Sequence, residues 1–436
     1  MNGVIERYRL PEMEKIWSDE NCFQQMLQVE LHVCEAMKDM GKLDKERYEE
    51  IVDKAGFDLQ RIREIEAVTK HDIAAFLQAV AEHIGEENAK YLHWGMAASD
   101  VLDTAMAVQM RQAVDLILGK LYQMRDLLSE LAKKHKYTLM VGRSHGIHAE
   151  PLSFGLKMVV WMNENERTIR RLQAARYSVA VGKVSGAVGA YAHIDPFVEE
   201  HVCRRMDLRP ASASSQILQR DRHAELLLAL ALLGSTLDKF ATDIRTLERT
   251  EIAEVSEPLA AGEIRSSALP HKVNPVKAER ISGLARVLRG NAVAALENVT
   301  LWDERDMTHS SAERIIVQDS CLLADYMLQL MIDTLSTIEI DREQMEYNLD
   351  MTRGLIFSQR VLMALMERGV LRDRAYDIVQ RNAVAAYRDK TDFAYYLLQD
   401  KEFMSYISAD ELDSLFDYEY YMKNLDYICN GIGVAK

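Results

Sequence analysis

The stretch His223-AELLLALALLGSTLDKFATDIRTLERT-Glu251 decides the fold. Its apolar residues Leu226, Leu227, Leu230, Leu233, Leu237, Phe240 and Ile244 recur at spacings of three and four. That is the one-sided pattern of an α-helix, about eight turns long at 3.6 residues per turn. The same periodicity runs through 105–133, 153–178 and 312–338, and no alternating strand pattern of comparable length accompanies it. The chain has seven prolines, none between Pro11 and Pro151 or after Pro275, which leaves long segments free to be helical. The expected fold class is all-α: a central bundle of very long helices spanning 97–341, with smaller helical domains at 1–96 and 342–436. A helix of about 28 residues spans roughly 40 Å. That exceeds a compact monomer core, so the remaining apolar faces are expected to be buried in an oligomer.

Composition narrows the partners. A chain of 436 residues exceeds the size of a single core, and 48% apolar residues support ordinary globular packing. The net charge of −15 argues against nucleic acid or an anionic membrane, since both select basic surfaces. Cys22, Cys34, Cys203, Cys321 and Cys429 are scattered, odd in number and without a CxxC pair. This favours a reducing cytoplasm over disulfides or structural zinc. The N-terminus lacks a hydrophobic signal region and no run of 18 apolar residues occurs, so no membrane span is expected.

Four polar stretches interrupt the helical pattern: Lys70-His71-Asp72 with His93–Asp100, then Gly142–Pro151, Ser214–His223 and Arg265–Glu279. The last, Arg265-SSALPHKVNPVKA-Glu279, is the richest in chemistry. Pro270 and Pro275 exclude a regular helix across it. Lys272 and Asn274 can hold a carboxylate, and a serine beside them can exchange a proton. A solvated loop is the plain alternative. His145-x-x-His148 followed by Glu150 could be a metal pair, but Gly146 and Pro151 spoil its presentation on a helix, and no metal is expected. Gly182–Gly189 reads as a turn without the order of a phosphate-binding loop. No dinucleotide fingerprint or other cofactor signal is visible.

Taken in order, these motifs resemble the aspartase/fumarase superfamily, most closely the adenylosuccinate lyase family. The resemblance covers essentially the whole chain, from Ile5-Glu-Arg-Tyr8 through Lys70-His71-Asp72, the His145 stretch, Val181–Gly189, Leu218-QRDR-His223 and Ser266-SALPHKV-Asn274 to Glu304-RDMTHSSAE-Arg314. It implies a homotetramer whose active sites draw on three subunits, and β-elimination of fumarate from a succinylated nucleotide without a cofactor. It implies Ser266 as the base, with Ser267 ranked second, and Lys272 and Asn274 on the carboxylate where charge develops. It implies His145 as the acid for the leaving nitrogen, with Glu279 orienting it. His71, Asp72, His93 and Ser99 would line the substrate, Gln216 its succinyl end, and Arg305, Ser310 and Arg314 the phosphate. Arg7 and Tyr8 match an N-terminal contact, and His148 matches without a clear role. Arginine suits phosphate through its planar fork of donors, which favours a phosphorylated substrate over a bare amino acid.

The sequence departs from the family in three places. Arg265 stands where glycine is usual, Leu269 where methionine is common, and Ala97 and Ala98 where Thr and Ser hold the succinyl carboxylates. Losing two such hydroxyls would cost about 3–6 kcal/mol if nothing replaced them. Arg265 reaching the carboxylate is the expected compensation. The competing expectations are a paralogous carbon–nitrogen lyase acting on another succinylated, phosphate-bearing metabolite, and a catalytically silent nucleotide-binding oligomer.

Overall fold

In a computed structural model, described for residues 4–431, the chain is helical almost throughout. We number the five longest helices α1 (Ala98–Lys134), α2 (Phe154–Val179), α3 (Asp221–Leu247), α4 (Val276–Glu297) and α5 (Thr308–Thr337). The 37 residues of α1 make a rod of about 55 Å. The stripe read from the sequence is the buried face of α3: Leu226, Leu227, Leu230, Leu233, Leu237, Phe240 and Ile244 are each at most 1% exposed. Four of the five long helices follow the predicted segments. The fourth, α4, was not anticipated, although Ala278, Ile281, Ala285, Leu288, Ala292 and Ala295 are buried at spacings of three and four. Its face is built largely of alanine, so its hydrophobic signal is shallow.

One reading gains a qualification and one needs correction. By length and composition α5 could cross a membrane, but most of its apolar stretch is buried inside the protein, as in a core helix. Isolated polar groups such as Asp319 and Asp325 break the apolar run, which is why a search for uninterrupted stretches passes over it. The Gly142–Pro151 stretch is also not an irregular loop. It is an antiparallel hairpin of β1 (Leu139–Ser144) and β2 (Ile147–Ser153). Two-residue pairings, β3 (Val181–Gly182) with β4 (Arg209–Pro210) and β5 (Val255–Ser256) with β6 (Glu339–Ile340), are the other strands among the described residues.

The chain divides into two compact units. The first comprises Met1–Gln123, Glu166–Lys239 and Arg280–Ile332. It holds an apolar core drawn from the helices between Asp19 and Ile84 and from the start of α1. The second comprises Met124–Asn165, Phe240–Glu279 and Asp333–Lys436. Here Trp161 of α2 stacks on Phe240 of α3 at 4.4 Å, and a separate cluster around Leu365, Ile378, Phe393 and Phe403 packs the C-terminal helices.

The first unit buries one ion pair completely. Lys183 and Asp100 are both 0% exposed, and the ammonium donates to the carboxylate. Asp100 also accepts the Ser185, Gly186 and Ala97 amides at 3.0, 3.1 and 2.7 Å. Lys183 also reaches the Gln216 carbonyl at 2.9 Å. One carboxylate thus fixes the 93–98 segment, the 183–186 turn and the start of α1. Lys183→Met should cost about 3–5 kcal/mol, because it leaves Asp100 buried without its cation. Equilibrium urea unfolding checks this, and a loss below about 1 kcal/mol would refute it.

Candidate active site

In the first unit, the expected substrate-facing residues sit at helix ends. Lys70 adopts φ +56° and closes the helix Leu59–Thr69. His71 then caps the helix Asp72–Ile84, its Nδ1 accepting the Ala74 amide at 3.3 Å. Asp72 accepts a hydrogen bond from Arg314 on α5, so two residues 242 positions apart in sequence meet as an exposed ion pair. Ser310 stands one turn before Arg314, and positions i and i+4 share a helix face. Gln216 accepts from Arg305 Nη1 at 3.4 Å, and the buried Arg305 Nε has no hydrogen-bond partner among the described residues. Arg7 is exposed in the turn Glu6–Tyr8, and the Tyr8 ring lies 5.4 Å from that of Tyr326.

Buried carboxylates hold these positions. His93 takes φ +55°, and Glu30 accepts both its amide (2.7 Å) and its Nδ1–H (3.0 Å). Strain of this kind persists only where the surroundings enforce it. Under the first turns of α5, Glu313 accepts from His223 Nδ1 (2.8 Å) and His309 Nδ1 (2.9 Å) and pairs with Arg220, which also grips Asp103 through both terminal nitrogens. Burial alone would raise the Glu313 carboxyl. The His223 and His309 hydrogen bonds overcome it and hold the group well below the ordinary carboxylate range, so both histidines donate. Asp100, Glu313 and His309 lie inside the quoted motifs and Asp103 just beyond one, yet none of the four was given a role from the sequence. Ser99 is 2% exposed in the first turn of α1. Ala97 gives its amide to Asp100, and neither Ala97 nor Ala98 has a hydroxyl to offer a ligand.

The second unit carries the residues expected to do the chemistry. Ser144 pairs with Ile147, so His145 and Gly146 alone form the hairpin loop. Both have positive φ, +55° and +77°, as a two-residue turn that matches strand twist requires. His145 is therefore presented, exposed, at the tip of a short ribbon. The base of the ribbon is fixed. Arg143 forms two hydrogen bonds with buried Glu254, at 3.0 and 2.6 Å, and Asn348 donates to the same carboxylate at 2.8 Å. Gly142 lies at a bulge where a Cβ would stand 2.6 Å from the Glu150 carbonyl, so no larger residue fits. Burial, and then the Arg143 cation, lower the pKa of His148, whose Nδ1 is buried without a partner.

The serine-bearing loop ends sooner than its sequence suggests. Pro275 gives its carbonyl to the Glu279 amide at 2.9 Å, so α4 begins here and Glu279 lies in its first turn. Proline is tolerated there because that N–H has no helical partner. Ser267, Lys272 and Glu279 are exposed and Ser266 half-buried. Among the described residues, no hydrogen bond or ion pair joins His145, Lys272 and Glu279. Asn274 donates its side-chain amide to the Arg265 carbonyl at 2.7 Å, closing the loop on itself.

The expected compensation by Arg265 is wrong. Its guanidinium turns inward and its side chain is 2% exposed. It bonds to Glu257, Glu263 and the Pro258 carbonyl, and so is not available to a substrate carboxylate. Two acids nearby supply the attraction, which the sequence separated from Arg265 by only eight and two positions.

Residues 6–290 match the family model described as Lyase, and 354–431 match Adenylosuccinate lyase C-terminus. The chain is 46% identical over 432 residues to the adenylosuccinate lyase of Bacillus subtilis, covering 99% of this chain and 100% of that one. Identity to the adenylosuccinate lyase of a Synechocystis strain is also 46%, with the same coverage. Among solved structures, a fumarate lyase from a Mesorhizobium species superposes with a TM-score of 0.90 at 28% identity, over 99% of both chains.

Glu248 also belongs to the acid cluster beside Arg265 and accepts the Glu257 amide at 2.8 Å. Burial, and then the Glu257 carboxylate, push its carboxyl from 4.5 up to about 7. The folded state therefore holds this proton more tightly than the unfolded chain. The resulting stability is complete below about pH 4.5 and is lost as pH rises through about 7. Glu248→Gln keeps the acceptor and should remove that contribution to the pH slope, leaving the variant more stable than the parent at pH 8. Melting temperatures at half-unit steps from pH 5 to 8 test this, and parallel parent and variant profiles would contradict it.

Proposed function

This chain belongs to the adenylosuccinate lyase family, and on that premise we propose that it splits adenylosuccinate into AMP and fumarate. The same elimination would act on succinylated aminoimidazole carboxamide ribotide. The whole-length likeness to adenylosuccinate lyases carries this reading and favours it over a lyase acting on another metabolite. The reaction needs a base at the carbon next to a carboxylate, stabilisation of the resulting dianion, and a proton for the departing nitrogen. Ser266 takes the proton, and Lys272 and Asn274 face the carboxylate as charge accumulates. The carbon–nitrogen bond then breaks as the fumarate double bond forms, and His145 protonates the nitrogen, oriented by Glu279.

Exposure of His145, Lys272 and Glu279, with no bond between them in one chain, suits a site completed by other copies of the chain in a homotetramer. Ser267, Ser99 and Gln216 serve the succinyl end, and His71, Asp72 and His93 line the nucleotide. Arg305, Ser310 and Arg314 take the phosphate, with Arg7 and Tyr8 beside it, and Arg314 exchanges its Asp72 partner for the phosphate on binding. No cofactor enters these steps, and the enzyme works in the cytoplasm on a small nucleotide, with no part for nucleic acid or membrane.

Purified protein should release fumarate from adenylosuccinate, and Ser266→Ala should lower kcat by about 10²–10⁴-fold, the span expected for loss of a positioned base. Arg314→Ala should chiefly raise KM, since its contact is made equally in ground and transition states. A parent enzyme that releases no fumarate would overturn the reading.

A further inference from the structure

Arg265 meets the protein with its full set of donors. Nε donates to Glu263 Oε1 at 2.9 Å. Nη1 donates to the Glu257 carbonyl and to Glu257 Oε2, both at 3.2 Å. Nη2 donates to the Pro258 carbonyl at 3.0 Å and to Glu263 Oε2 at 3.2 Å. A guanidinium has five N–H groups and no acceptor, so these five bonds complete it. Glu263 is itself tied back, accepting the Ala260 amide at 3.0 Å. The next residue along the chain is Ser266, whose Oγ accepts the Leu269 amide at 3.1 Å. The Arg265 carbonyl receives Asn274 from the far end of the loop. Both ends of the segment bearing Ser266, Lys272 and Asn274 therefore meet at one buried residue.

We propose that Arg265 is a positioning residue for the elimination: its guanidinium pins the root of the serine loop between Glu257, Glu263 and Pro258, and so sets where Ser266 and Asn274 stand. This rests on the reading of Ser266 as the base. A planar fork can bond two carboxylates and two carbonyls at once, whereas an ammonium has three donors from a single point. Lysine would answer the charge of Glu257 without fixing the direction in which the chain leaves the root. The acids matter as much as the cation. Without Arg265, Glu257 and Glu263 lose the cation that bonds them both and keep only the more distant charge of Lys277, with Glu248 bonded to the Glu257 amide, and the root moves.

The test compares the parent with Arg265→Gly, Arg265→Lys and Glu263→Ala, the last removing two of the five bonds while leaving buried Glu257 its cation. Steady-state kinetics on adenylosuccinate are read beside hydrogen exchange of residues 257–275. The expected result for Arg265→Gly is faster exchange confined to that segment and kcat lower by about 10²-fold, with KM within about threefold, the effect of an ångström-scale misplacement. Lysine should recover only part of kcat, and Glu263→Ala should give a smaller loss of the same kind. Should Arg265→Gly fail to fold, Glu263→Ala carries the test. Unchanged exchange, or faster exchange with unchanged kcat, would overturn the proposal. Full recovery by lysine would also overturn it, since charge alone would then suffice. If the parent releases no fumarate, the functional reading fails, while the exchange data still report whether the clamp holds the loop.

Discussion

A buried carboxylate is costly unless it is paired, and this requirement organises most of the regions that carry candidate residues. Asp100 gathers the turn at 183–186 and the start of α1, Glu30 holds His93, and Glu313 ties Arg220, His223 and His309 under the first turns of α5. In the second unit Glu254 anchors the His145 hairpin, and Glu257 with Glu263 anchors the serine loop. An ionised group taken out of water is tolerable only when it is paired and hydrogen-bonded. Each of these acids therefore defines its surroundings closely. Long helices supply the mass of the protein, but a helix by itself says little about where its terminal loop goes.

The anchors and the exposed tips divide the work. His145, Lys272 and Arg314 are exposed, while the ion pairs Arg143–Glu254 and Arg220–Asp103, which anchor neighbouring segments, are largely or wholly shielded from solvent. A proton donor or phosphate ligand has to be reachable, and catalysis also needs it held to within a fraction of an ångström. A short ribbon with a two-residue turn meets both demands at His145, at the cost of a left-handed backbone for a residue with a side chain. The cost recurs at Lys70 and His93, both in stretches expected to face the nucleotide.

Arg265 shows how a substitution changes meaning with depth. An arginine inside a polar loop invites assignment to the ligand, because its fork suits a carboxylate. Here the fork has found carboxylates of its own chain. The missing hydroxyls at Ala97 and Ala98 are therefore not replaced from this side of the loop, and the contribution of Arg265 lies in the loop's geometry. Glu248, whose carboxyl is pushed up to about 7 by burial and then by Glu257, makes the anchor one of the places where the fold responds to pH.

The helices were legible from sequence because burying one face forces apolar side chains into a 3.6-residue period, and that period survives in the one-dimensional order. The α3 stripe is the clearest case, whereas α4, whose face is mostly alanine, gave a signal too shallow to read. The segment expected to carry the chemistry stood out as well, since serine, lysine, asparagine and histidine crowded around two prolines are scarce in a helical protein. Sequence order carries no record of which charges meet. The pairing of Arg314 with Asp72, of Arg143 with Glu254 and of Arg265 with Glu257 and Glu263 depends on where helices and loops bring side chains together. Composition and spacing determined the fold class and marked the polar segments expected to carry the chemistry. Only the tertiary structure decided which charged groups face a ligand and which are consumed in holding the chain, because that choice rests on burial and on distances of about 3 Å.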